Sequence, residues 1–176
     1  MKRKQIVDLV TACLLIVLGC GLIILPLLDI INIKVAYLVV LIAYAVINLY
    51  QYVLTIKNGD IEGLLTTIAC VISIGIALLL KISEKPWNLA LSLFAWIIMM
   101  SLIKLKKSDY YHDRNNKIWI LRIITLGLFI LVGIITTLSL AYTADVQLIV
   151  LGYFFLIHGI LELIDPITVY YFETKK

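Results

Sequence analysis

Long uncharged runs of apolar residues dominate this chain, and short charged segments separate them. A helix needs about 20 apolar residues to cross a hydrocarbon core of about 30 Å. The runs lack the apolar and polar alternation that strands of a membrane barrel show. The pattern predicts an all-α membrane protein with six transmembrane helices, forming one domain over residues 1–176. The runs cover residues 9–28, 35–56, 63–80, 86–103, 123–144 and 146–161, the last continuing to about residue 165.

Composition supports this class of protein. Hydrophobic residues make up 63% of the chain and charged residues 15%, against about 45–50% and about 25% in soluble domains. Polar residues are too scarce to cover a water-soluble protein of this size. The first run continues to Leu28, beyond the length of a signal peptide, so we expect it to be kept as a span.

The positions of Lys and Arg predict the orientation. With a cytoplasmic N-terminus, the inner segments hold twelve of the fifteen basic residues, and the outer segments hold only Lys34, Lys81 and Lys85. The positive-inside rule therefore favours a multi-pass protein of the cytoplasmic membrane with both termini inside. This asymmetry also explains the net charge of +4, so we expect the lipid bilayer and no nucleic acid as partner.

An internal repeat is indicated by the spacing of small residues. The spans pair into three hairpins, residues 6–56, 61–105 and 118–165. The first span of each hairpin carries a glycine, at Gly19, Gly75 and Gly133, and these glycines are 56 and 58 residues apart. The second span of each hairpin carries a small residue followed by an aromatic one, at positions 43–44, 95–96 and 152–153. These markers predict three parallel repeats around an axis along the membrane normal.

Two stretches of the chain resemble a known family. They are LGCGLIILP, from Leu18 to Pro26, and LGYFFLIHGILELI, from Leu151 to Ile164. With three hairpins in 176 residues, the chain resembles the HdeD-like acid-resistance membrane proteins over nearly its whole length, and least in the second hairpin. The resemblance implies a six-helix protein of the bacterial inner membrane, connected in some members with acid stress. It brings no catalytic residue with it.

The polar residues inside the spans are the candidate site. His158, Glu162 and Asp165 lie on one face of the sixth span, at spacings i, i+4 and i+7. Counting about 1.5 Å per residue places Arg122 at the depth of Glu162, which predicts an ion pair between them. Gly152 and Gly159 form a neighbouring stripe that would let another helix approach closely.

Other polar residues lie at similar depth. Asn48 and Gln51 of the second span, Asp8 of the first and Lys104 of the fourth complete a predicted cluster in the cytoplasmic half. The cluster has two interpretations. Its side chains could join the helices by hydrogen bonds and ion pairs, or they could form a proton-responsive site, because histidine titrates near pH 6.5 when unperturbed.

Sequence motifs give no sign of catalysis. Cys13, Cys20 and Cys70 show no metal-ligand spacing, and nucleotide-binding and hydrolase motifs do not occur. We therefore expect a non-enzymatic protein without cofactor or metal, acting in acid or membrane stress as the resemblance implies. A small transporter or channel for protons or a solute is the alternative, as is an accessory subunit of a membrane complex. A homo-oligomer or a membrane protein partner is compatible with all three.

Overall fold

Six α-helices make up the protein in the computed structural model, which describes residues 3–24, 32–58, 60–82, 85–112, 118–142 and 146–174. All six are long and apolar enough to cross a membrane. The predicted fold class is therefore confirmed, and the chain is an integral membrane protein with six spans. The helices are α1 (Arg3–Ile24), α2 (Ile33–Thr55), α3 (Glu62–Leu79), α4 (Pro86–His112), α5 (Ile118–Tyr142) and α6 (Gln147–Thr174).

Local sequence explains where several helices begin. The Asn32 side chain accepts a hydrogen bond from the Lys34 backbone N–H at 2.9 Å and so caps α2. Asp60 Oδ1 accepts one from the Glu62 N–H at 3.0 Å at the start of α3. Pro86 is the first residue of α4, a position where its missing N–H leaves no hydrogen bond unmade.

Helices α4 and α6 end well beyond the apolar runs that predicted them. Helix α4 continues past residue 103 to His112, and α6 passes through Asp165 and Pro166 to Thr174. Lys107 therefore lies on the same helix as Lys104 rather than in a connecting segment. The predicted end of α4 followed the loss of hydrophobicity, whereas Lys and Leu are good helix formers that allow this helix to continue.

The helices form a closed ring. Each contacts its neighbours in chain order, and α1 closes the ring against α6. The starts of α1, α3 and α5 meet the ends of α2, α4 and α6 at one end of the bundle, which we call the charged end. Ion pairs join five of these helices there, and a hydrogen bond between Gln51 and Asp8 joins α2.

Helices α1 and α6 approach each other with almost no side chain between them. A Cβ atom added at Gly19 would lie 2.5 Å from the Leu156 backbone nitrogen, and one added at Gly159 would lie 2.8 Å from the Ile16 nitrogen. At Gly152 the same atom would lie 2.8 Å from the Gly19 carbonyl oxygen. The predicted close approach along Gly152 and Gly159 is confirmed, and the helix that makes it is α1.

The proposed repeat has a mixed outcome. The most extensive helix contacts are those of α1 with α6, α2 with α3 and α4 with α5, an alternation that a threefold arrangement would produce. The marker residues are less regular. Gly19 packs on α6, whereas Gly75 has no neighbour within 4 Å of an added Cβ, so these two glycines are not in equivalent surroundings. Tyr153 is 53% exposed, while its counterparts Tyr44 and Trp96 are buried. The threefold repeat stays a prediction.

Candidate functional site

A network of ion pairs joins five helices at the charged end. Lys4 Nζ of α1 lies 3.0 Å from Glu62 Oε2 of α3, and Glu62 Oε1 lies 2.6 Å from Lys107 Nζ of α4. Lys107 Nζ is 3.2 Å from Asp165 Oδ2 of α6, which is 2.9 Å from Arg122 Nη2 of α5. Each acid in this network therefore lies between two cations.

The spacing of charges on α4 and α6 explains part of the network. Lys104 pairs with Glu162, and Lys107 pairs with Asp165. Both helices run toward the charged end, and on each of them the two charged residues are three positions apart. Residues three apart lie on one helix face, so two parallel helices in this register form both pairs together.

The predicted pair of Arg122 with Glu162 is wrong. Arg122 pairs with Asp165, and Glu162 pairs with Lys104. The reason is the direction of the side chains, because each Cα–Cβ bond tilts toward the start of its helix. Arg122 lies near the start of α5 and therefore points toward the charged end. Lys104 and Glu162 lie late in their helices and point back into the bundle, where they meet.

A small polar cavity lies beside these ion pairs. Its volume is about 20 Å³, which is room for about one water molecule. Predicted residues that line it are Asp8, Asn48, Gln51, Lys104 and Glu162. Gln51 Nε2 donates a hydrogen bond to Asp8 Oδ1 at 2.7 Å, and Asn48 Nδ2 donates one to the Tyr44 carbonyl oxygen at 2.8 Å. The remaining lining residues are Thr11, Tyr44, Glu62, Thr66, Met100, Ile103 and Lys107.

His158 lies deeper in the bundle, next to Glu162. Its Nε2 is 3.7 Å from Glu162 Oε1, and the residue is 1% exposed. Neither ring nitrogen has a hydrogen-bond partner among the described residues. A buried polar group without a partner costs about 1–3 kcal/mol, so the bundle keeps this histidine at the expense of stability.

Aromatic rings surround His158 on its other sides. The nearest ring centroids are those of Phe129 at 4.8 Å and Trp96 at 5.4 Å. Tyr44 and Phe154 follow at 6.0 and 6.1 Å. These rings occupy the centre of the bundle directly beyond the polar residues. These rings separate His158 from water on those sides.

Some residues of this region were not predicted as members of the cluster. Lys4, Asp60, Glu62 and Lys107 belong to it, with Lys4 pairing with Asp60 as well as with Glu62. Lys4, Asp60 and Lys107 lie three or more residues outside the apolar runs, and Glu62 directly precedes one. The matched three-residue spacing of charges on the fourth and sixth spans would have indicated Lys107.

We use the name polar cluster for the residues described above. It comprises Lys4, Asp8, Asn48, Gln51, Asp60, Glu62, Lys104, Lys107, Arg122, His158, Glu162 and Asp165.

Polar groups also occur in the opposite half of the bundle. Tyr37 Oη and Ser92 Oγ are 3.2 Å apart, and Ser92 Oγ donates a hydrogen bond to the Ser73 carbonyl oxygen at 3.0 Å. Within the described residues, Ser73 Oγ is buried without a partner. Buried polar groups are thus present on both sides of the aromatic rings around His158.

Metal binding and relatedness add little to this description. No group of three or more His, Cys, Asp or Glu side chains in the described part of the chain is arranged to hold a metal ion. Comparison of the chain with protein-family models, with curated proteins and with solved structures gives no match. Fold and composition define the class, an integral membrane protein with six spans, and function has to be argued from the polar cluster.

Proposed function

We propose that this chain is a non-enzymatic protein of a bacterial cytoplasmic membrane that acts in acid or membrane stress, with the polar cluster as its proton-responsive part. The observation that carries the proposal is the position of Glu162, which pairs with Lys104 and lies 3.7 Å from buried His158. The stress role draws on the resemblance of the first and last spans to the HdeD-like proteins.

The response would start at His158. Histidine is the side chain whose ordinary titration falls between about pH 5 and 8. A protonated His158 would gain a charge and a second N–H donor, and Glu162 Oε1 is the carboxylate oxygen within ion-pair distance of its Nε2. Glu162 would then be shared between Lys104 and His158. Since Lys104 is on α4 while His158 and Glu162 are both on α6, the change would weaken the ion pair that joins these two helices.

The proposed orientation puts the charged end in the cytoplasm. Twelve of the fifteen basic residues fall on that side when both termini are cytoplasmic, as the positive-inside rule favours. Protons reaching the polar cluster through this end would then come from the cytoplasm. The protein would respond to cytoplasmic acidification.

A proton or small-solute transporter is the second candidate. The observation that favours it is the set of polar groups beyond the aromatic rings, at Tyr37, Ser73 and Ser92. Transport would require Trp96 and its neighbouring rings to move, because they fill the centre of the bundle between the two polar regions. A pH-sensitive dye inside liposomes that carry the full chain would detect proton flow.

Acid challenge of the source bacterium tests the first candidate. The gene is deleted, and wild type, His158→Phe or His112→Phe is returned at equal membrane level. Phenylalanine keeps a ring among the surrounding rings but cannot titrate. His112 is the other histidine of the chain and lies exposed at the end of α4. We expect wild type and His112→Phe to restore survival and His158→Phe to fail. Full rescue by His158→Phe, or a deletion strain that survives normally, would reject the proposal.

A further inference from the structure

When His158 is neutral, the polar cluster contains one more acid than charged base. Its described bases are Lys4, Lys104, Lys107 and Arg122, and its acids are Asp8, Asp60, Glu62, Glu162 and Asp165. Four of the five acids have a cation within 4.0 Å. The fifth, Asp8, makes no ion pair with any described residue, and its one hydrogen bond comes from the neutral amide of Gln51.

Asp8 is partly buried near the start of α1. It is five residues after the start of α1, about 7.5 Å along the helix axis. It lines the polar cavity, where Gln51 of α2 and Glu62 of α3 face it. An unpaired carboxylate in such surroundings is costly, because burial in an apolar region disfavours the charged form.

Charges of both signs act on Asp8 from the neighbouring helices. Lys4 of its own helix and Lys107 of α4 attract its negative charge, while Glu62 and Glu162 repel it. Both lysines are already paired with other acids, Lys4 with Glu62 and Lys107 with Glu62 and Asp165. Lys104 lines the same cavity but pairs with Glu162. Arg122 of α5 pairs with Asp165.

We propose that the carboxyl group of Asp8 is a proton-binding site that exchanges its proton with a water molecule in the cavity. Uptake converts the carboxylate and a hydronium ion into a carboxylic acid and water, and no other bond changes. With Asp8 protonated and His158 neutral, the described cluster has four ionised acids and four charged bases and is electrically balanced. With Asp8 ionised, the cluster carries one surplus negative charge inside the span.

A proton suits this cavity better than a metal cation. Two ammonium groups, those of Lys104 and Lys107, line it and would repel a metal ion. A volume of about 20 Å³ leaves room for one water molecule and no coordination shell. The proposal rests on the proposed function for its biological role, since a proton site is useful there, but its chemistry stands on the charge balance alone.

The test compares the full chain with Asp8→Asn over a pH series. Asparagine resembles the protonated carboxyl group and keeps an oxygen for the Gln51 hydrogen bond. We expect the melting temperatures of wild type and Asp8→Asn to agree in acid. As the pH rises, wild type should fall below the variant by about 2–4 °C, because only wild type acquires the surplus charge. Infrared difference spectra between acid and neutral pH should show a carboxylic acid band in wild type that Asp8→Asn lacks.

Asp109→Asn is the matched control, since it makes the same change at an exposed position late in α4. It should follow wild type at every pH. The proposal is overturned if Asp8→Asn is less stable than wild type throughout, which would make Asp8 a structural acceptor, or if the two curves are parallel. It is also overturned if added sodium at constant ionic strength stabilises wild type but not Asp8→Asn. These results are independent of acid survival, so an unaffected His158→Phe strain would reject the proposed function and leave this site standing.

Discussion

The Lys107 ammonium group lies 3.2 Å from the Asp165 carboxylate, and this contact joins the ion pairs of α1 and α3 to that of α5. Without it, the network would separate into one part around Glu62 and another around Arg122. Lys107 is therefore the residue through which most of the helices are connected at the charged end.

Replacement of Lys107 should destabilise the bundle. Lys107→Met removes a cation shared by Glu62 and Asp165 and leaves both acids with one partner each. Because these side chains are about one fifth exposed, we expect a loss of about 1–3 kcal/mol of unfolding free energy, less than the roughly 3–5 kcal/mol for a fully buried pair. Unfolding in mixed detergent micelles measures it.

The control for this prediction is Lys106→Met. Lys106 is exposed and adjacent in sequence, so its replacement should change the unfolding free energy by less than about 0.5 kcal/mol. Equal effects at the two positions would show that the ion pairs of Lys107 contribute nothing beyond a surface charge.

A double-mutant cycle should distinguish the true partner of Glu162 from the predicted one. Lys104→Gln and Glu162→Gln each leave an unpaired charge, and the double variant leaves none, so we expect a coupling of about 0.5–3 kcal/mol. The cycle with Arg122→Gln should give a clearly smaller coupling, since Arg122 pairs with Asp165 instead. Folded yield and unfolding free energy in detergent are the measurements. A larger coupling for Arg122 would restore the pair predicted from depth.

The depth of Arg122 along its helix could be predicted from the sequence, but the acid that it pairs with could not. The rise per residue places Arg122 and Glu162 at one level, and both belong to the same cluster. Which acid Arg122 meets depends on the direction in which each side chain leaves its helix. That direction reverses between α5 and α6, because the two helices run in opposite senses. Counting residues along the chain gives the depth of a residue but not the direction of its side chain.

For the glycines too, the sequence predicts a property of the residue but not its partner in the fold. The stripe of Gly152 and Gly159 predicts a close helix contact, because two small residues seven positions apart lie on one face. Nothing in the stripe names α1 as the partner. Gly75 fits the periodic pattern of Gly19 as well as Gly133 does, yet it has open space around it. A small residue permits a close approach, and the packing of the whole bundle decides whether another helix makes one.

Alanine at Gly19 should be far more harmful than alanine at Gly75. The added Cβ at Gly19 would lie 2.5 Å from the Leu156 backbone nitrogen, which cannot move without shifting α6. We expect a loss of about 1–3 kcal/mol from this overpacking. Gly75→Ala meets nothing within 4 Å and should be neutral or stabilising by up to about 1 kcal/mol, since alanine favours helix more than glycine does. Thermal unfolding of both variants in one detergent gives the comparison. If Gly19→Ala is no more harmful than Gly75→Ala, α1 and α6 are farther apart than described.

The last prediction concerns which side of the membrane the charged end faces. Cys13, Cys20 and Cys70 are free thiols and are first replaced by alanine. Asp109→Cys then places a single thiol at an exposed position late in α4, and Lys85→Cys places one at an exposed position just before its start, at the opposite end. A membrane-impermeant maleimide added to intact cells should label Lys85→Cys and leave Asp109→Cys unlabelled until the cells are opened. These two positions are used because the loop around Asp113, a more obvious place for a label, lies outside the described residues. The reverse pattern would put twelve of the fifteen basic residues outside, against the positive-inside rule, and the polar cluster would then open to external rather than cytoplasmic protons.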